Sequence, residues 1–250
     1  MDVDRAPHPG SSFLTTRWSV VLAAGRAPAP ARRAALEDLA AAYWYPLYAF
    51  ARRRGLAPDS AADRAQGFFA LLLERDDLAR ADPARGRFRA YLQAAFRNHL
   101  ADERDRERAQ KRGGGRVPVS IDAREGERRL VREPIDGETP EIAFERAWVA
   151  ELLARAFERL RAEQEKIGRE ALFDKLRPSL AAEDDAPRFA TVARELSMTE
   201  NAVKVAAHRL RKRYGELLRE EVAATVSDPG DPAEIEDEIR ALFRPFERSV

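Results

Sequence analysis

The chain of 250 residues has no cysteine, only three histidines and no long apolar run. The absence of cysteine excludes disulfides and thiolate metal sites, and His8, His99 and His208 are too scattered to indicate a metal centre. No apolar stretch approaches the roughly 20 residues that cross a bilayer, and the N-terminus, MDVDRAPHPG, lacks the apolar core of a signal peptide. We therefore expect a cytoplasmic protein with no metal, no other cofactor and no membrane partner.

The common motifs of catalysis are also missing. No glycine-rich phosphate loop follows a strand, no nucleophile elbow is present and no His-Glu-x-x-His pattern occurs. The glycine run at 113–115 has no Lys-Ser/Thr after it and is interpreted as a hinge. These absences predict that the protein is not an enzyme and has no small-molecule substrate.

Charge is abundant but balanced, because 44 Lys and Arg residues stand against 43 Asp and Glu residues, a net charge of +1. Binding to nucleic acid must then depend on local segregation of charge rather than on the overall balance. Such segregation occurs at 201–213, where five Lys or Arg residues stand with no acidic residue. This segment is the first candidate for a nucleic-acid interface.

The basic segment belongs to a longer stretch, FATVARELSMTENAVKVAAHRLRKRY at 189–214, which predicts two helices joined by a tight turn at 197–199. Thr199 is placed to cap the second helix by accepting a bond from a backbone N–H of its first turn. The buried stripe of that helix follows helical spacing and consists of Val203, Ala207, Leu210, Tyr214 and Leu217.

A helix-turn-helix presents its second helix to the major groove of DNA. The outward side chains of this helix are therefore predicted to contact duplex DNA: Asn201, Lys204, Val205, His208, Arg209, Arg211 and Lys212. The alternative is a surface helical hairpin whose basic face is merely solvated.

Helical periodicity recurs along the rest of the chain, and no run of strands is present. The expected fold is all-α, with two helical bundles at 13–112 and 139–222 and a helix-turn-helix in the second. Residues 113–138 show no sustained period and are interpreted as a flexible linker. Residues 223–250 are expected to form a C-terminal tail with a short helix, for which packing and regulation are both open roles.

A second candidate interface lies at 85–98, where cations and aromatic residues meet. Single-stranded nucleic acid is held by bases that stack on aromatic rings while arginine follows the backbone. Phe88 also lies on an apolar stripe, so a place in the core is its alternative role. The residues predicted to contact a melted strand are Arg85, Arg87, Phe88, Arg89, Arg97 and Asn98.

From about 13 to 221 the layout resembles bacterial RNA polymerase sigma factors of the extracytoplasmic-function (ECF) group. The resemblance is carried by AADRAQGFFALLL from 61, FRAYLQAAFRNHLADERDR from 88 and ENAVKVAAHRLRKRY from 200. It implies that 13–112 binds core polymerase and melts the minus-ten promoter element, and that 139–222 reads the minus-thirty-five element. It also implies that Asp63 and Gln66 dock on the polymerase.

The sequence departs from the family pattern at two places. Gly67 replaces the acid that usually follows the glutamine, and Ala90 with Tyr91 stands where many members carry a tryptophan. The first departure bears on docking to polymerase, and the second leaves less stacking surface for a melted strand.

The implied function is transcription initiation, with core RNA polymerase and promoter DNA as partners and an anti-sigma protein as a further candidate. One alternative is a stand-alone helix-turn-helix transcriptional regulator, and another is a helical adaptor that binds only proteins. The sequence leaves open whether an anti-sigma protein, phosphorylation or the C-terminal tail regulates the factor.

Overall fold

The computed structural model describes residues 29–74, 87–110, 126–127, 129–130, 138–180, 188–226 and 228–247. Within these residues the regular structure is entirely α-helical, as the sequence predicted, and no helix is both long and apolar enough to cross a bilayer. The helices are α1 Ala29–Arg53, α2 Pro58–Glu74, α3 Phe88–Gln110, α4 Pro140–Lys166, α5 Glu170–Leu180, α6 Phe189–Glu195, α7 Glu200–Ala223 and α8 Pro232–Glu247.

The chain divides into two compact units. The first unit comprises Met1–Val149 and Ala223–Val250, and the second comprises Ala150–Val222. The beginning of α4 and the C-terminal tail thus belong with the first unit, whereas the sequence assigned 139–149 to the second bundle and set the tail apart. Trp148 shows the physical reason, because its buried indole stacks on Tyr43 of α1 with ring centroids 6.0 Å apart.

Aromatic side chains form the core of the first unit. Phe96 of α3 meets Phe68 of α2 edge to face at 5.2 Å between ring centroids, and Phe50 of α1 at 6.0 Å. Helix α1 contains Pro46 and continues beyond it to Arg53. It ends before Gly55, whose φ of +89° is the left-handed conformation that glycine adopts without a steric penalty.

Part of the predicted linker is folded onto the first unit. Residues 126–127 and 129–130 are helical, and the Glu127 carboxylate accepts hydrogen bonds from the Tyr48 hydroxyl at 2.7 Å and from Nε of Arg52 at 2.5 Å. The guanidinium of Arg129 lies 3.9 Å from the ring centroid of Tyr45. The remainder of the predicted linker, 113–125 and 131–137 with residue 128, lies outside the described residues.

The second unit has a continuous apolar core to which α4, α5, α6 and α7 contribute. Gly168, with a φ of +68°, lies between α4 and α5, and α5 starts at Glu170. The buried members of this core are Ala156, Leu160, Phe173, Leu176, Val192, Ala193, Val203, Ala207, Leu210 and Leu217.

Candidate nucleic-acid interface

The turn between α6 and α7 has a defined backbone geometry. The amide of Met198 donates to the carbonyl of Ala193 at 2.8 Å, and the amide of Ser197 donates to the carbonyl of Arg194 at 3.4 Å. Ser197 has a φ of 53°, the left-handed conformation that closes such helix ends. These bonds satisfy two free carbonyls at the end of α6.

Helix α7 then begins with the predicted cap. The amide of Ala202 donates to Oγ1 of Thr199 at 3.2 Å, which confirms the predicted capping bond. Glu200 lies in the first turn, where a carboxylate is favoured by the helix dipole. The start of α7 is therefore determined by local chemistry, and this sets which of its residues face the core.

The two faces of α7 divide as the apolar pattern predicted. Val203, Ala207, Leu210 and Leu217 are buried, and Tyr214 is half-buried with its hydroxyl donating to the carbonyl of Leu153 at 3.2 Å. The predicted DNA-facing residues are all exposed: Asn201, Lys204, Val205, His208, Arg209, Arg211 and Lys212. Their DNA contact itself stays a prediction.

The cations on this exposed face are held only weakly. Lys204 pairs with Glu200 at 2.7 Å, but both side chains are about half exposed, so water screens the pair. Arg211 donates to the carbonyl of Ser179 at 3.2 Å, a partner that carries no negative charge. No described residue forms an ion pair or hydrogen bond with His208 or Arg209. This face can therefore offer its charge to an anionic partner.

Arg213 differs from the exposed cations before it on α7, because carboxylates bind its guanidinium. Its Nη2 and Nε lie 2.7 and 2.9 Å from the two carboxylate oxygens of Glu163 on α4, and its Nη1 also pairs with Glu216 and Glu220. The hydrogen bonds from Arg213 lower the pKa of Glu163. Sequence reasoning counted Arg213 with the basic segment, and only the fold brings Glu163 against it.

An apolar surface lies beside the basic face, and no sequence pattern had indicated it. A groove of about 400 Å³ is lined by Met198, Val205 and Arg209 together with Ile167, which follows the end of α4. Ile167 is 57% exposed and Val205 is 41% exposed. The exposed surface of α7 thus has apolar side chains beside its cations.

The residues predicted to contact a melted strand are divided by the structure. Arg97 and Asn98 are exposed on α3, whereas Phe88 is buried with its ring edge-on to Tyr43 at 5.8 Å. Phe88 therefore has the core position that was its alternative role. Arg85 lies outside the described residues.

Arg87 and Arg89 are bound by carboxylates. Arg89 is only 5% exposed; its Nε lies 2.9 and 3.2 Å from the two carboxylate oxygens of Glu145, and it also pairs with Glu238 of α8. Burial lowers the pKa of the Arg89 guanidinium, and the Glu145 carboxylate opposes that shift. Arg87, which is exposed, pairs with Glu238 as well. The pattern along α3 could not reveal these partners, because they come from α4 and α8.

The predicted polymerase-docking residues lie three positions apart on α2, so they share one side of the helix. Asp63 is half-buried and Gln66 is exposed. Gly67 is exposed beside them, and a Cβ added there would meet nothing within 4 Å. This surface therefore has room for the acidic side chain that the family pattern places at 67.

No family model, curated protein or solved structure matches the chain.

Proposed function

We propose that the chain is a sigma factor, which binds core RNA polymerase, recognises a two-part promoter and opens it. The observation that carries this proposal is the exposed cationic face of α7, which begins directly after the tight turn from α6. In the proposal, α6 and α7 form a helix-turn-helix whose second helix enters the major groove at the minus-thirty-five element. The resemblance of residues 13–221 to ECF sigma factors supplies the polymerase and the promoter as partners.

The side chains on this face suit duplex recognition. The charges of Lys204 and Arg209 would neutralise phosphates and hold the helix in register. Asn201 could pair with an adenine edge, and Val205 could contact a thymine methyl group. Because the major groove is about 12 Å wide and admits one α-helix, the exposed face of α7 can approach the bases.

The first unit would supply the other two activities. Asp63 and Gln66 on α2 would dock on the polymerase, and Arg97 and Asn98, exposed on α3, would contact the melted minus-ten strand. No catalysis is needed for opening. A factor that binds the single strand more favourably than the closed duplex shifts the equilibrium towards the open promoter.

Run-off transcription with reconstituted core polymerase on a genomic promoter library tests the proposal. We expect transcripts from a subset of promoters with the wild-type chain and a loss of about tenfold or more in promoter affinity with the double variant Lys204→Ala, Arg209→Ala. Lys175→Ala is the matched control, because Lys175 is an exposed lysine of α5 in the same unit. Unchanged transcription by the double variant would contradict the assignment of α7.

The same reagents separate the alternative functions. A stand-alone regulator would bind its duplex site without polymerase and would not co-purify with the core enzyme. A protein-binding adaptor would bind no DNA even at low salt, whereas binding through phosphates weakens steeply as the salt concentration rises.

A further inference from the structure

The C-terminal helix α8 carries an acidic residue on its buried face. Glu238 and Leu242, one helical turn apart on the same side, are each 2% exposed. Asp237 and Arg240, on the other side, have side chains 64% and 74% exposed. Helix α8 therefore has one covered face, and a carboxylate lies at its middle.

This carboxylate binds the two arginines at the beginning of α3. Glu238 pairs with both Arg87 and Arg89, and Glu145 of α4 adds a second carboxylate to Arg89. Arginine binds carboxylate and phosphate with the same forked geometry. The acid of α8 thus holds the groups that a nucleic-acid backbone would otherwise contact.

A buried ion pair of this kind is weak evidence for stability. Exchange of such a pair for apolar residues is often neutral or stabilising, whereas removal of one partner leaves an uncompensated buried charge. The acid at 238 is therefore better explained by its ion pairs with Arg87 and Arg89 than by packing.

We propose that α8 is an autoinhibitory cover, that is, a helix that occludes Arg87 and Arg89. Its Glu238 carboxylate takes the place of a DNA phosphate on these two arginines and must leave before they bind a melted strand. The inference rests on the proposed function, because it takes Arg87 and Arg89 as part of the strand-binding surface. It assigns the regulation of the factor to its own C-terminal helix.

The test measures how tightly the full-length chain binds a short fluorescein-labelled oligothymidylate, by fluorescence anisotropy across a range of salt concentrations. Glu238→Gln removes the carboxylate charge, so we expect roughly fivefold or tighter binding and a salt dependence steeper by about 0.7 for each released arginine. Asp237→Asn is the matched control on the exposed side of α8, and it should change neither quantity.

Two further variants test the proposal by a route other than the charge of Glu238. Leu242→Asn places an amide in the covered face and should release α8 with Glu238 intact, giving the same gain in affinity. Arg87→Ala, added to Glu238→Gln, should remove part of that gain. Circular dichroism checks that each variant remains folded. The cover is overturned if folded Glu238→Gln and Leu242→Asn bind the oligothymidylate no more tightly than the wild type.

Transcription distinguishes this failure from failure of the proposed function. If the wild type with core polymerase yields promoter-specific transcripts but neither variant gains affinity, only the cover is contradicted. If no promoter is transcribed but both variants gain affinity, the cover stands and the sigma-factor assignment falls. If neither transcription nor a gain in affinity is observed, both are contradicted.

Discussion

Arg89 of the first unit and Arg209 of the second both lie on helices that the sequence assigned to DNA, but their surroundings are opposite. Arg89 is 5% exposed, pairs with two carboxylates and lies with its guanidinium 5.1 Å from the ring centroid of Trp148. Arg209 is exposed, and no described residue pairs with it. The difference shows that the local pattern of a helix is not enough to tell which of its cations are available, because carboxylates contributed by other helices can bind them.

The largest expected difference between these two arginines is in stability. Arg89→Ala leaves Glu145 and Glu238 without their buried cation and should lower the free energy of unfolding by about 3–5 kcal/mol. Arg209→Ala changes an exposed side chain and should stay within about 0.5 kcal/mol. Urea denaturation followed by circular dichroism measures both variants. Equal, small losses would show that Arg89 is not buried in solution.

Two glycines of the first unit test the same contrast between covered and open surface, because one lies against a side chain and the other faces open space. A Cβ at Gly126 would lie 2.6 Å from Cε1 of Tyr48, so Gly126→Ala should displace the segment that carries Glu127 and cost about 1–3 kcal/mol. Gly67→Ala, in a helix with open space, should instead stabilise by up to about 1 kcal/mol. Thermal unfolding compares the two, and similar stabilisation by both would show that 126–130 does not pack on Tyr48.

Acid sensitivity should be present in both units and stronger in the first. Hydrogen bonds from Arg52 lower the pKa of Glu127, and those from Arg213 lower the pKa of Glu163, in each case from a usual value of 4.5. Each carboxylate therefore contributes stability that is complete above about pH 4.5 and is lost as the pH falls through its lower folded-state pKa.

The variants Glu127→Gln and Glu163→Gln test this. Each should lower stability at neutral pH, and the difference from the wild type should shrink as the solution is acidified below pH 4.5. Glu127→Gln should have the larger effect, because the Glu127 side chain is 29% exposed and that of Glu163 is 38% exposed. Urea denaturation at a series of pH values measures it, and a difference from the wild type that does not change with pH would contradict the assigned cause.

The smallest effect is expected at the turn before α7. Ser197 holds a φ of 53°, which costs a residue with a Cβ more than it costs glycine. Ser197→Gly should raise the free energy of unfolding by less than about 1 kcal/mol and leave duplex affinity unchanged. Calorimetric unfolding together with a duplex-binding assay checks both statements. A clear loss of stability would mean that the turn adopts another conformation.

Local patterns were sufficient where neighbours in sequence supply the contacts. The spacing of Val203, Ala207 and Leu210 predicted which face of α7 is buried, because helical geometry alone places these residues on one side. Thr199 was recognisable as a cap because its partner, Ala202, lies three residues away.

Local patterns were insufficient where a partner lies far along the chain. The sequence predicted a linker over 113–138 because that segment shows no sustained period, yet within it Glu127 is held by hydrogen bonds from Tyr48 and Arg52. It assigned Arg87 and Arg89 to DNA because cations and aromatic residues meet at 85–98. Their carboxylates come from α4 and α8.

The sequence by itself determined the all-helical fold and the composition of the exposed face of α7, since both follow from helical periodicity and capping within a few residues. Only the tertiary structure decided which cations remain available and where the tail belongs. The physical reason is that burial and ion pairing depend on distance in space, and Glu238 reaches Arg89 only after the chain has folded.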